Sequence, residues 1–152
     1  MTKSSATRTH DPVTGACQLV ADDFDRPNGI ALSDDEQTLF VADTRRNHIR
    51  WFTVGDDGRL TGGGVHCECT AGVFDGFRLD TTGRIWAAAG DGVHCFDPDG
   101  TLIGKLLLPE PVANLVFGGP KRNRLFVTAS TSLYSILTNV NGAIAPWQRP
   151  RR

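Results

Sequence analysis

Residues 26–44, RPNGIALSDDEQTLFVADT, hold a Pro-Asn-Gly turn, a short apolar run, an acidic turn and an apolar strand ending in Ala-Asp-Thr. The layout returns at residues 74–89, FDGFRLDTTGRIWAAA, and at residues 113–129, ANLVFGGPKRNRLFVTA. Leu32, Leu79 and Phe117 align, 47 and 38 residues apart. Each copy reads polar loop, apolar strand, tight turn, then a strand of Leu, Ile, Phe, Val or Trp. That period is the size of a four-stranded propeller blade.

Working outward, residues 17–24 read as a strand entered through the turn Asp11-Pro12-Val13-Thr14-Gly15, where proline presets φ and glycine accepts positive φ. Residues 48–54 roughly alternate and read as a third strand of the first copy. Gly55-Asp56-Asp57-Gly58 is a hairpin signal, the run Gly62-Gly63-Gly64 reads as loop, and an outer strand falls near residues 65–69. The second copy continues through residues 92–96, the hairpin Asp97-Pro98-Asp99-Gly100 and a fourth strand over 101–108. The third continues through residues 132–137. No helical period is sustained anywhere, so the architecture is all-β. It amounts to about three propeller blades, fewer than the roughly four to eight of a closed ring. Residues 1–10 are polar and read as a disordered leader, 11–146 as the partial propeller, and 147–152 as a disordered tail.

Composition narrows the function classes. Sixteen basic against 17 acidic residues, net charge −1, leave no electrostatic footprint for nucleic acid. No stretch approaches a membrane span. The first ten residues, MTKSSATRTH, lack the apolar segment of a secretory signal. Cys17, Cys67, Cys69 and Cys95 make no Cys-x-x-Cys pair. In His66-Cys67-Glu68-Cys69 a strand would place the two thiols on one face and the other two residues opposite, which suits buried thiols better than a metal cluster. Four free thiols and a reducing, cytoplasmic setting are expected. His48, His66 and His94 have no partner spacing and read as surface histidines, and Trp51 and Trp86 as packing aromatics.

In combination and order, Pro-Asn-Gly at 27–29, Asp-Gly-Phe at 75–77 with Asp80, and Phe-Gly-Gly at 117–119 resemble the C-terminal half of the SMP-30/gluconolactonase/LRE-like family. The resemblance runs from about residue 11 to about 145. It implies a six-bladed β-propeller whose N-terminal half lies outside this sequence. It also implies a divalent metal on the propeller axis, calcium or zinc, held by a Glu of the first blade, an Asn in the Pro-Asn-Gly turn and an Asp in the Asp-Gly turn. The Asn maps to Asn28 and the Asp to Asp75; the Glu, and the family's substrate-contacting Arg and Asn, have no counterpart.

An amide oxygen and a carboxylate suit a hard cation such as Ca²⁺, and an Asn ligand argues against zinc. A metal there would polarise a lactone carbonyl, with Asp75 as general base. In isolation, both residues could instead serve their turns through the following glycine. Asn114 falls one place beyond the ligand position, which Ala113 holds, and Asp43 reads as a turn cap with Thr44. Lactone hydrolysis is the expected activity, for this chain or as the remnant of such an enzyme. Phosphotriester hydrolysis at the same metal and a non-catalytic binding module are the alternatives. Open blade faces would favour self-association, three blades plus three.

Overall fold

The computed structural model describes residues 5–144, which form thirteen strands and no helix. β1 (Ser5–His10) and β2 (Cys17–Phe24) pair as a hairpin. β3 (Pro27–Leu32), β4 (Thr38–Asp43), β5 (His48–Val54) and β6 (Leu60–Glu68) form one antiparallel sheet in sequence order. β7 (Phe77–Leu79), β8 (Ile85–Ala89), β9 (Gly92–Phe96) and β10 (Leu102–Leu107) form a second. β11 (Val112–Gly118), β12 (Arg124–Ala129) and β13 (Leu133–Leu137) form a third, with three strands. These are propeller blades, and their first strands stand at the same register. Leu32 pairs with Leu39, Leu79 with Ile85 and Phe117 with Leu125, as the repeat predicts.

Strands read as continuous apolar runs because both sheet faces are covered. On β8, Ile85, Ala87 and Ala89 join the core between the first two blades, alongside Phe40, Phe74 and Phe77. Ala88, between them in sequence, points the other way into the core shared with Val112, Leu115 and Phe117 of the third blade. β4 divides its side chains similarly: Phe40 and Ala42 face the second blade, while Val41 meets Phe24 and Phe52 beneath β2. Arg50 fastens that outer hairpin. Its guanidinium lies 4.8 and 4.9 Å from the Phe24 and Phe52 ring centres and donates two bonds of 2.9 Å to the Asp23 carboxylate.

Three expectations are corrected. Ser5–His10 forms a strand where a disordered leader was expected over 1–10; the Asp11 turn folds it back onto β2, so backbone pairing supplies what its polar composition lacks. The Gly62-Gly63-Gly64 run lies inside β6. Gly62 and Gly63 take φ of 88° and 91° at a shift in the pairing with β5, and a Cβ on Gly63 would lie 2.6 Å from Arg50 and 2.8 Å from Phe52. The glycines are a bulge that lets Arg50 and Phe52 fill the face. His94 is completely buried, not on the surface, with Nε2 2.6 Å from an Asp91 carboxylate oxygen. The expected tail at 147–152 lies outside the described residues.

Candidate metal centre

The three inner strands β3, β7 and β11 start side by side, and the site is built at their beginnings. Asp43, buried at the end of β4, accepts the backbone N–H groups of Asp25 at 2.8 Å and Arg26 at 2.9 Å. The Thr44 amide closes the corner by donating to the Arg26 carbonyl at 3.0 Å. The entrance to β3 is thereby fixed. Pairing then breaks between Pro27, opposite Asp43, and Ile30, opposite Val41. Asn28 and Gly29 fall in that irregularity.

Burial raises the Asp43 carboxyl, but hydrogen bonds from the Asp25, Arg26 and Arg46 amides and the Arg46 charge outweigh it, holding the group below the usual carboxylate range. The stabilisation is therefore complete above the unfolded value of about 3.9 and is lost as pH falls through the lower folded value. Asp43→Asn should flatten the acid limb of the stability–pH curve, read by urea unfolding at a series of pH values.

Asn28 Nδ2 donates to Thr44 Oγ1 at 3.2 Å, and Thr44 Oγ1 donates to the Phe74 carbonyl at 2.8 Å. Thr44 thus couples the Pro-Asn-Gly turn of the first blade to the residue before Asp75 in the second. Backbone contact is equally close. A Cβ on Gly29 would lie 2.6 Å from the Asp75 carbonyl oxygen. Gly76 donates its N–H to the Ala113 carbonyl at 3.0 Å, and the Asn114 amide group occupies the space beside Gly76, 2.3 Å from where a Cβ would stand. Asn114 Oδ1 accepts the Leu115 N–H at 2.9 Å, so this side chain is tied to its own strand.

Asn28 and Asp75 therefore hold the same rank on neighbouring inner strands, with Ala113 in that rank on the third. With Nδ2 committed to Thr44, the carbonyl end of Asn28 is left without a donor among the described residues. The half-buried Asp75 carboxylate likewise has no hydrogen bond or ion pair there. Two hard oxygen donors of this kind fit a divalent cation as part of a set of roughly six to eight oxygens. They do not complete one: no group of three or more His, Cys, Asp or Glu suited to a metal occurs among the described residues. His66-Cys67-Glu68-Cys69 is not a ligand cluster either. Cys67 and Cys69 are buried and Glu68 exposed, and burial pushes the Cys67 thiol up to about 12 and the Cys95 thiol up to about 11. All four cysteines are free, although Cys17 is exposed.

Thr44 escapes a reading of sequence that sees Ala-Asp-Thr only as a strand end. The repeat puts Gly90 and Ser130 at the matching positions, so the presence of a hydroxyl there does not by itself single out Thr44. Thr44→Val removes the link while keeping the shape. With Asn28 as a metal ligand, metal affinity should fall about 10-fold; stability should fall by about 1–3 kcal/mol in any case, because the Phe74 carbonyl loses its donor. Calorimetric titration and urea unfolding of the same variant read the two effects.

Residues 2–131 match the model of the SMP-30/gluconolactonase/LRE-like region. A gluconolactonase of Zymomonas mobilis is 30% identical over 140 residues, covering 84% of this chain and 39% of that protein. The pentonolactonase XacC of Haloferax volcanii is 30% identical over 110 residues, covering 68% and 38%. Among solved structures, a gluconolactonase from Xanthomonas campestris superposes with a TM-score of 0.78 at 32% identity, over 90% of this chain and 44% of that one. The calcium-binding protein regucalcin of Agrobacterium tumefaciens superposes at 0.82 with 24% identity, covering 99% and 58%, a likeness of fold. The chain spans about 40% of the length of the curated relatives it matches. With the repeated blades and the paired turns at Asn28 and Asp75, these likenesses make the chain a member of the SMP-30/gluconolactonase/LRE-like family.

Proposed function

We propose that the chain supplies half of the metal centre of a lactone hydrolase, with Asn28 and Asp75 as ligands. The observation that carries the reading is the pair of uncommitted hard oxygens, held in one rank by the Asn28–Thr44–Phe74 hydrogen bonds. Lactonase relatives support the reaction class. When bound, a divalent cation supplies Lewis acidity toward the lactone carbonyl oxygen. Calcium suits the amide and carboxylate donors better than zinc does.

The chain's own residues divide the remaining work. Asn28 presents its carbonyl oxygen in a fixed direction because Thr44 holds its amide nitrogen. Asp75 accepts a proton from the attacking water on a carboxylate oxygen. The C–O bond of the ring then breaks, and that proton passes to the departing ring oxygen, leaving a hydroxy acid. Gly29 and Gly76 allow the turns to approach closely enough for the two donors to share one ion.

Self-association completes the same reading. The open face of the third blade exposes Leu133 and Leu137, at 69% and 66%. A second copy, three blades joining three, would cover that face and bring further residues to the axis. One experiment addresses both points: hydrolysis of glucono-δ-lactone and of a phosphotriester, with and without EDTA, on a sample characterised by sedimentation. Chelator-sensitive lactone hydrolysis in a dimeric fraction is expected, with little turnover of the phosphotriester. Lactone turnover indifferent to EDTA contradicts the metal centre, and a monodisperse monomer contradicts the second copy.

A further inference from the structure

Arg78 occupies the middle of β7, the central inner strand, at a position filled by Ala31 and Val116 in the neighbouring repeats. The repeat therefore has room there for small or apolar side chains, and only the second blade carries a charge. Arg78 is half-buried and lines two clefts. One, of about 580 Å³, is walled mostly by apolar side chains, among them Leu79, Val116 and Phe117, and also takes in Asp34 and Arg122. The other, of about 320 Å³, adds Asn114 and Thr128.

Its charge is not met among the described residues. Nη1 donates to the carbonyl of Phe77, its own chain neighbour, at 2.7 Å, and among the described residues no carboxylate pairs with it. Burial alone moves its pKa, downward, with no compensating charge. Two other buried or half-buried cations are answered by carboxylates: Arg50 by Asp23 and Arg84 by Asp97. A partly desolvated guanidinium in an apolar wall is unfavourable unless an anion completes it. Its planar fork, with four donors left over, matches an oxyanion bidentately.

We propose that Arg78 makes the inner channel wall a subsite for the oxyanion of a small molecule, a carboxylate or phosphate group bound by the guanidinium fork between Asn114 and the apolar wall. The subsite is separate from the metal donors: three residues along an extended strand set the Arg78 backbone about 10 Å from that of Asp75. It stands whether or not the metal site hydrolyses lactones.

The test is ¹⁵N NMR of the arginine Nε–Hε groups of the full chain, titrated separately with sodium gluconate, inorganic phosphate and neutral glucose. Expected is a saturable shift of the Arg78 signal with gluconate or phosphate and none with glucose. Gluconate alone would assign the subsite to an organic carboxylate, and phosphate alone to a phosphate group. In the variants, where that signal is gone, isothermal titration with the same anions reads binding: Arg78→Lys should weaken it about 10-fold, since the charge stays but the fork is lost. Arg78→Met should abolish binding without lowering Tm, because the neighbouring repeats are already apolar there. Three results would overturn the proposal: an Arg78 signal indifferent to both anions, unchanged calorimetric anion binding in Arg78→Met, or a lowered Tm for that variant, which would show the guanidinium to be held by the protein itself.

Discussion

Gly29→Ala should lower the stability of the chain by about 3 kcal/mol, the upper part of the range for a side chain forced into filled space. A Cβ at this position would stand 2.6 Å from the Asp75 carbonyl oxygen and 2.8 Å from the Phe77 ring. Neither neighbour can yield easily. The carbonyl belongs to the turn that Thr44 reaches through Phe74, and Phe77 is wholly buried between the first two blades. Relief requires the first blade to move off the second. For a chain of this size the loss corresponds to about 10 °C in Tm. Gly104→Ala is the matched control: its Cβ meets nothing within 4 Å, and the change should be neutral or stabilising by a few tenths of a kcal/mol. Thermal unfolding of the two variants side by side separates a packing effect from the general effect of replacing glycine.

Asp75→Ala should leave the fold intact and remove activity. The carboxylate has no partner among the described residues, so its loss strands no buried donor. On the lactonase reading the same group is both ligand and proton acceptor, and hydrolysis should fall about 10³-fold. Asp75→Asn divides the two roles. An amide oxygen can still face a cation but cannot take up the proton, so calcium affinity should fall about 10-fold while kcat falls nearly as far as in the alanine variant. Equal losses in affinity and turnover would assign Asp75 to binding alone. Initial rates on glucono-δ-lactone, with calcium varied, give both numbers.

The blades were legible because strand register is local. Leu32, Leu79 and Phe117 each pair across a tight turn only a few residues away, and the repeated turn chemistry marks where each pair begins. Asn28 and Asp75 inherit equivalent positions from that register. What was not legible depends on neighbours distant in the chain. Composition makes Ser5–His10 look unable to fold, yet a hairpin partner is enough to order its backbone. The three glycines at 62–64 resemble loop until Arg50 and Phe52 are seen filling the space beside Gly63, and Trp51 that beside Gly62 and Gly64. His94 looks like a surface residue until Asp91 is seen against its ring. Thr44 acts on Phe74, thirty residues on, and no pattern around either residue announces it.

On the proposed function, Asn28 and Asp75, from separate blades, hold one and the same divalent cation. Isothermal titration of the chain with calcium, alongside Asn28→Ala and Asp75→Ala, tests this reading most directly. A single calcium site is expected, abolished by either substitution, with both variants still folded by circular dichroism. Calcium binding that survives both substitutions, or a chain that binds no calcium in any assembly state, would contradict it.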